Sequence, residues 1–78
     1  MTTTTLDTLR PGDCGVVHTL TGSGPLIQRL AEMGMVPGAQ CTVVRFAPLG
    51  DPMEIVLDGY HLSLRKTEAR CVCVVRNV

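Results

Sequence analysis

Apolar residues recur along this chain with two periods: about 3.6 residues over one short stretch and 2 residues over most of the remainder. The short stretch runs from Leu26 to Met33. Leu26, Ile27, Leu30, Ala31 and Met33 fall on one face of a helix there, and Gln28, Arg29 and Glu32 fall on the other. Pro25 suits a first helical position, where its missing N–H costs nothing, and Ser23 or Gly24 can cap the N-terminus. Gly34 can take the left-handed conformation that closes a helix, and Pro37-Gly38 blocks continuation. These signals predict a helix of about nine residues that ends in a turn and launches a strand.

The period of two marks strands, with turn residues between them. Residues 14–20, 40–47, 53–58, 60–65 and 71–76 are the five candidates. The TGSG of 21–24 separates the first strand from the helix, and KTEA at 66–69 fits a single helical turn before the fifth strand. Two prolines and a glycine in PLGDP, residues 48–52, exclude both helix and central strand. Asp58-Gly59 is the dipeptide that a two-residue hairpin favours, and it sets Leu57 opposite Tyr60. That register puts Met53, Ile55, Leu57, Tyr60, Leu62 and Leu64 on one face, and Glu54, Val56, Asp58, His61, Ser63 and Arg65 on the other. Five short strands and one helix, with one sheet face buried, describe a mainly β protein built as a small, partly open barrel. The Thr2–Thr5 run reads as part of a frayed terminus over residues 1–5.

With 78 residues and 45% hydrophobic content, the chain is expected to form one globular domain over 1–78. Seven basic and seven acidic residues give zero net charge, which argues against nucleic acid and against an anionic membrane surface. No apolar run approaches the ~20 residues of a membrane span, and MTTTTLDTLRPGD lacks the layout of a signal peptide. A cytoplasmic location follows as the expectation. Thiols stay reduced there, so Cys14, Cys41, Cys71 and Cys73 are expected to be free. An incompletely closed sheet also leaves an edge where two copies could pair.

Four motifs carry a family resemblance: L-x-x-L-x-P-G-D from Leu6 to Asp13, RLAEMGMVPG from Arg29 to Gly38, APLGDP from Ala47 to Pro52, and LRKTEA from Leu64 to Ala69. In order and spacing they resemble the ferrous-iron transport protein A family, FeoA. The resemblance implies an SH3-like five-stranded β-barrel with the helix after the first strand. It further implies a cytoplasmic accessory that contacts the cytosolic GTP-binding region of a FeoB-type membrane transporter and is recruited through it to the inner face of the membrane.

The residues themselves favour a binding module over an enzyme. The chain has no G-x-x-x-x-G-K-[ST] to cradle phosphates, no nucleophilic Ser in a strand-turn-helix setting, and no carboxylate pair flanking an apolar cleft. The candidate partner surface is the helix cap with Met35 and Val36, the PLGDP loop with Leu49 and Asp51, and the steering charges Arg29, Glu32 and Arg65. Leu30 and Met33 continue the buried stripe, whereas Met35 fits core and contact equally. Phe46 and Tyr60 are too few aromatics, and too committed to strands, to line a polyproline groove.

No cofactor is required, although a weakly bound divalent metal is one reading. The cysteines contain no C-x₂₋₄-C pair and read as core residues, and His18 reads as a half-buried packing residue. Glu54 and His61 are diagonal neighbours on the outer hairpin face, with Asp58 not far off, and could reach one ion. Two rivals to the contact reading follow: a ferrous-iron or transition-metal chaperone, and a stand-alone relative of the SH3-like domain that ends iron-dependent repressors.

Overall fold

In the computed structural model, which describes residues 2–76, the order is β1 (Thr2–Thr5), a 3-10 turn (Leu6–Thr8), β2 (Cys14–Leu20), α1 (Gly24–Glu32), β3 (Gln40–Phe46), β4 (Met53–Leu57), β5 (Tyr60–Leu64), α2 (Lys66–Ala69) and β6 (Val72–Arg76). The strands form one antiparallel sheet in the order β1-β6-β2-β3-β4-β5. The sheet curls but does not close, so β1 and β5 are its two edges.

Two expectations need correction here. Among the described residues there are six strands, not five, because Thr2–Thr5 pairs with β6 from Thr2↔Arg76 to Thr5↔Cys73. Met1 lies outside the described residues. β-branched threonines suit a pleated strand, and the completely buried Leu6 and Leu9 anchor the segment that follows. Tertiary pairing thus overrides the tendency of a polar terminus to fray. His18, in turn, is exposed rather than half-buried. Val17 pairs with Val74 and Thr19 with Cys73, which leaves His18 as the extra residue of a bulge.

A second bulge lies in β3, where Val43 pairs with Ile55 and Arg45 with Glu54. Val44 is its extra residue and is 38% exposed. The bulge re-aims the strand so that Arg45 faces Glu54.

Helix α1 starts and stops as its sequence directs. The Ser23 hydroxyl accepts the Leu26 N–H at 3.2 Å, and Pro25 occupies the first turn. At the other end Gly34 sits at φ +102, donates its N–H to Ala31 O at 3.0 Å, and is followed by Met35, whose N–H reaches Leu30 O at 3.0 Å. That pair of bonds is a Schellman closure, in which the residue after the glycine packs back on the helix. Met35 and Leu30 are both fully buried. Leu26, Ile27, Ala31 and Met33 are half-buried, so α1 lies along the rim of the core.

The hairpin turns at Asp58 (φ +47) and Gly59 (φ +91), both left-handed as a two-residue turn of this kind needs. Leu57 pairs with Tyr60. Met53, Ile55, Leu57 and Leu64 are buried and Leu62 half-buried, whereas Tyr60 is 71% exposed because it opens an edge strand beyond the core. In β6 it is Val72 and Val74 that point inward, which turns Cys71 and Cys73 to partial exposure. Only Cys41 joins the core, and Cys14 is exposed. The core reading of the cysteines therefore holds for one of the four.

Candidate functional surface

The loop between β3 and β4 is held by its own backbone: Ala47 N–H donates to Pro52 O at 2.9 Å and Gly50 N–H to Ala47 O at 2.7 Å. Its apex carries Leu49, 97% exposed. The Asp51 carboxylate accepts the Lys66 N–H at 3.1 Å and so ties the loop to α2. The Lys66 ammonium lies 5.1 Å from the centroid of the Phe46 ring, a cation–π contact. Glu68 accepts the Arg65 N–H at 2.9 Å with one carboxylate oxygen and the Arg29 guanidinium at 2.9 Å with the other. Leu49, Asp51, Arg65 and Arg29 are thereby brought to one side of the molecule, linked through α2.

The remaining candidates are not brought there. Val36, 44% exposed, lies between α1 and the start of β3, at the opposite end of that strand from Leu49. Glu32 is exposed on α1. Met35 is completely buried against Leu30, so as folded it offers no side chain to a partner. Its sequence position beyond the cap made contact and core equally plausible, and the Schellman closure places it in the core.

Glu54 and His61 meet as the hairpin register requires, with His61 Nδ1 3.3 Å from Glu54 Oε2. The other carboxylate oxygen accepts Arg45 Nε–H at 3.0 Å. Arg45 first, and His61 second, hold the Glu54 carboxyl below the usual carboxylate range. Asp58 does not join them, since its carboxylate caps the Gln40 N–H at 3.1 Å. Among the described residues no three His, Cys, Asp or Glu side chains converge as a metal site would require. A cation entering at Glu54 and His61 would find two donors, one of them already holding a guanidinium. Cys41 is sealed: burial pushes its thiol up to about 11, and the thiol faces Gly15 O at 3.5 Å.

Charge is distributed unevenly over this surface. Arg29, Arg45, Arg70 and Arg76 each pair with a carboxylate: Glu68, Glu54, Asp7 and Asp13, respectively. Arg10, Arg65 and Lys66 form no ion pair among the described residues. Two shallow clefts flank Phe46. One, of about 430 Å³, is walled by Pro48, Pro52, Ser63 and the Arg45–Glu54 pair, and the other, of about 380 Å³, by Leu9, Arg10, Pro11 and Lys66. Sequence reasoning did not select Arg10 or Phe46, which reach Lys66 only through the fold.

The model of the FeoA domain family matches residues 4–76. The chain belongs to the FeoA family. An Fe(2+) transport protein A/Fe(2+) transporter FeoB fusion protein of Porphyromonas gingivalis is 41% identical over 64 residues, which cover 82% of this chain and 8% of that protein. The chain thus spans a small part of that relative's length. Among solved structures, the crystal structure of an iron uptake regulatory protein, FeoA, is 32% identical with a TM-score of 0.88, covering 97% of this chain and all of that one. A Stenotrophomonas maltophilia FeoA complexed with zinc, termed a prokaryotic SH3 domain protein, is 28% identical with a TM-score of 0.77 over 90% of this chain and 87% of its own. The mainly β fold of this FeoA-family chain is accordingly SH3-like, with a short helix after β2.

Proposed function

We propose that this FeoA-family chain is a non-catalytic accessory of ferrous-iron transport that works by protein contact with the cytosolic GTP-binding region of a FeoB-type transporter. In this reading it acts as one unit in the cytoplasm, held at the inner face of the membrane by its partner. No helix among the described residues is long and apolar enough to cross a membrane. The observation that carries the reading is the relative from Porphyromonas gingivalis, in which the corresponding domain and a FeoB transporter form one polypeptide. A tether of that kind raises the effective concentration of two modules to roughly millimolar, so even a weak contact is populated. The Stenotrophomonas maltophilia protein, for which a role as an activating factor in ferrous-iron transport has been suggested, points the same way.

The charge pattern favours contact over the repressor-like alternative. Four of the seven basic side chains pair with carboxylates, so among the described residues only Arg10, Arg65 and Lys66 are left, fewer cations than the run a phosphate backbone needs. The metal-chaperone alternative has only the Glu54–His61 pair with Arg45 attached.

Calorimetric titration of the full chain with the cytosolic region of a FeoB-type transporter tests the proposal. Saturable binding is expected, weakened about tenfold in Leu49→Glu, whose fully exposed site leaves folding unchanged. Absence of binding at millimolar concentration overturns the contact reading. So does stoichiometric micromolar ferrous-iron binding in anaerobic dialysis that His61→Ala abolishes.

A further inference from the structure

We infer that the cleft between the Leu9–Pro11 segment and the Phe46–Lys66 pair is a docking groove for an acidic peptide segment, one with an apolar side chain beside its carboxylates. The inference deepens the contact reading above and rests on it for the identity of the partner protein.

Three observations converge on this cleft. Arg10 and Lys66 line it, and they are two of the three basic residues that the fold leaves without a carboxylate among the described residues. Three acids lie nearby: Asp51 accepts the Lys66 backbone N–H at 3.1 Å, and the other two are paired with arginines. Asp7 on the wall pairs with Arg70 at 3.7 Å and accepts the Thr5 hydroxyl, and Asp13, which caps the Arg10 N–H at 2.9 Å, pairs with Arg76 at 3.2 Å. Against the one unpaired carboxylate nearby, that of Asp51, Arg10 and Lys66 leave the cleft a small excess of positive charge on a chain whose net charge is zero. Complementarity calls for an anion.

The second observation is its apolar lining. Phe46 and Pro11 give the cleft, of about 380 Å³, an apolar wall that is partly aromatic, and its space is more than an inorganic anion needs. A free phosphate would leave that lining wet, whereas a Leu or Pro side chain next to a Glu would cover it. Anionic lipid is disfavoured because two or three cations draw only weakly on a membrane surface.

Third, the ammonium is pre-positioned. Lys66 is half-buried, its N–H is bonded to Asp51 at 3.1 Å, and its head group rests 5.1 Å from the Phe46 centroid. A lysine whose ammonium already rests on a ring loses less rotamer freedom on binding than a solvated one.

The test uses the ¹⁵N-labelled full chain at low salt, titrated with acetyl-Glu-Leu-Glu-Leu-Glu-amide, with its all-Gln counterpart and with inorganic phosphate. Amide shifts confined to residues 7–10, 46–47 and 65–67 are expected with the Glu peptide. Affinity should fall about tenfold in Arg10→Ala and in Lys66→Met, which keeps an apolar stem over Phe46. Equal binding of the Gln peptide, phosphate shifts matching those of the Glu peptide at the same affinity, or unaltered binding by Arg10→Ala would overturn the groove. Arg10 is exposed, so that variant stays informative even where Lys66→Met disturbs α2. The two proposals also separate. A transporter region that binds parent, Arg10→Ala and Lys66→Met equally refutes the groove and leaves the contact reading standing. A region that binds none of them while the Glu peptide still binds refutes the contact reading alone.

Discussion

Replacing Met35 by alanine removes Cγ, Sδ and Cε from a site with no solvent exposure, directly behind the Gly34 cap and against Leu30. At ~0.8 kcal/mol per methylene-sized group, the lost transfer term is roughly 2 kcal/mol. The vacated space adds a cavity term, giving about 3 kcal/mol, inside the range of 2–5 kcal/mol found for such truncations. A chain of 78 residues has a total stability of only about 4–12 kcal/mol, so this is a large fraction of it. Thermal unfolding followed by circular dichroism should show a midpoint lowered by roughly 12–24 °C. Val36→Ala, one residue along at a site 44% exposed, should stay within about 1 kcal/mol of the parent. If Met35→Ala instead melts within ~4 °C of the parent while losing affinity for a transporter region, the side chain faces a partner and the cap has been misread.

Three further outcomes concern the helix cap and the cysteines. Gly34→Ala forces a side chain into φ +102 and sets its Cβ 3.2 Å from a Leu57 methyl, so urea titration should show a loss of ~2 kcal/mol or more; a loss under ~0.5 kcal/mol would mean that the cap relaxes freely. Ellman's reagent at pH 8 should label Cys14 rapidly and leave Cys41 unreacted until the protein unfolds. Since the Cys41 thiol is raised from 9.0 to about 11 by burial, its contribution is fully present below pH ~9 and is lost as pH rises towards 11. Cys41→Val should flatten that decline in unfolding free energy.

Features encoded by adjacent residues were legible in the sequence. Asp58-Gly59 specifies its turn by local chemistry, the turn fixes the register, and the register delivers Glu54 to His61. Gly34 before Met35 specifies a helix closure in the same way. What was not legible depends on distant parts of the chain. The Thr2–Thr5 run has no apolar alternation, and its partner strand lies at the other terminus. Residues 71–76, CVCVVR, are apolar on both faces, so the period could not say whether cysteine or valine points inward. Neither bulge has a turn residue to mark it, which hid the exposure of His18 and the aim of Arg45 at Glu54. Arg10 and Lys66 come to line one cleft only through the fold, which packs the 3-10 turn against α2.

The charge balance reconciles a neutral chain with a charged docking groove. Seven cations and seven anions cancel in sum, and the ion pairs use four of each, but the three cations left over do not all lie where the three leftover acids do. Four arginines are neutralised by carboxylates, and of the three remaining acids, Asp51 and Asp58 accept backbone N–H groups and Glu32 stands exposed on α1. Zero net charge limits long-range attraction to nucleic acid and lipid alike. Short-range recognition survives, because unpaired cations beside an aromatic ring act over a few ångströms, inside the ~8 Å over which salt screens at physiological strength. Selectivity on such a surface rests on where the unspent cations lie, and a variant that moves one of them without altering the total tests the arrangement rather than the sum.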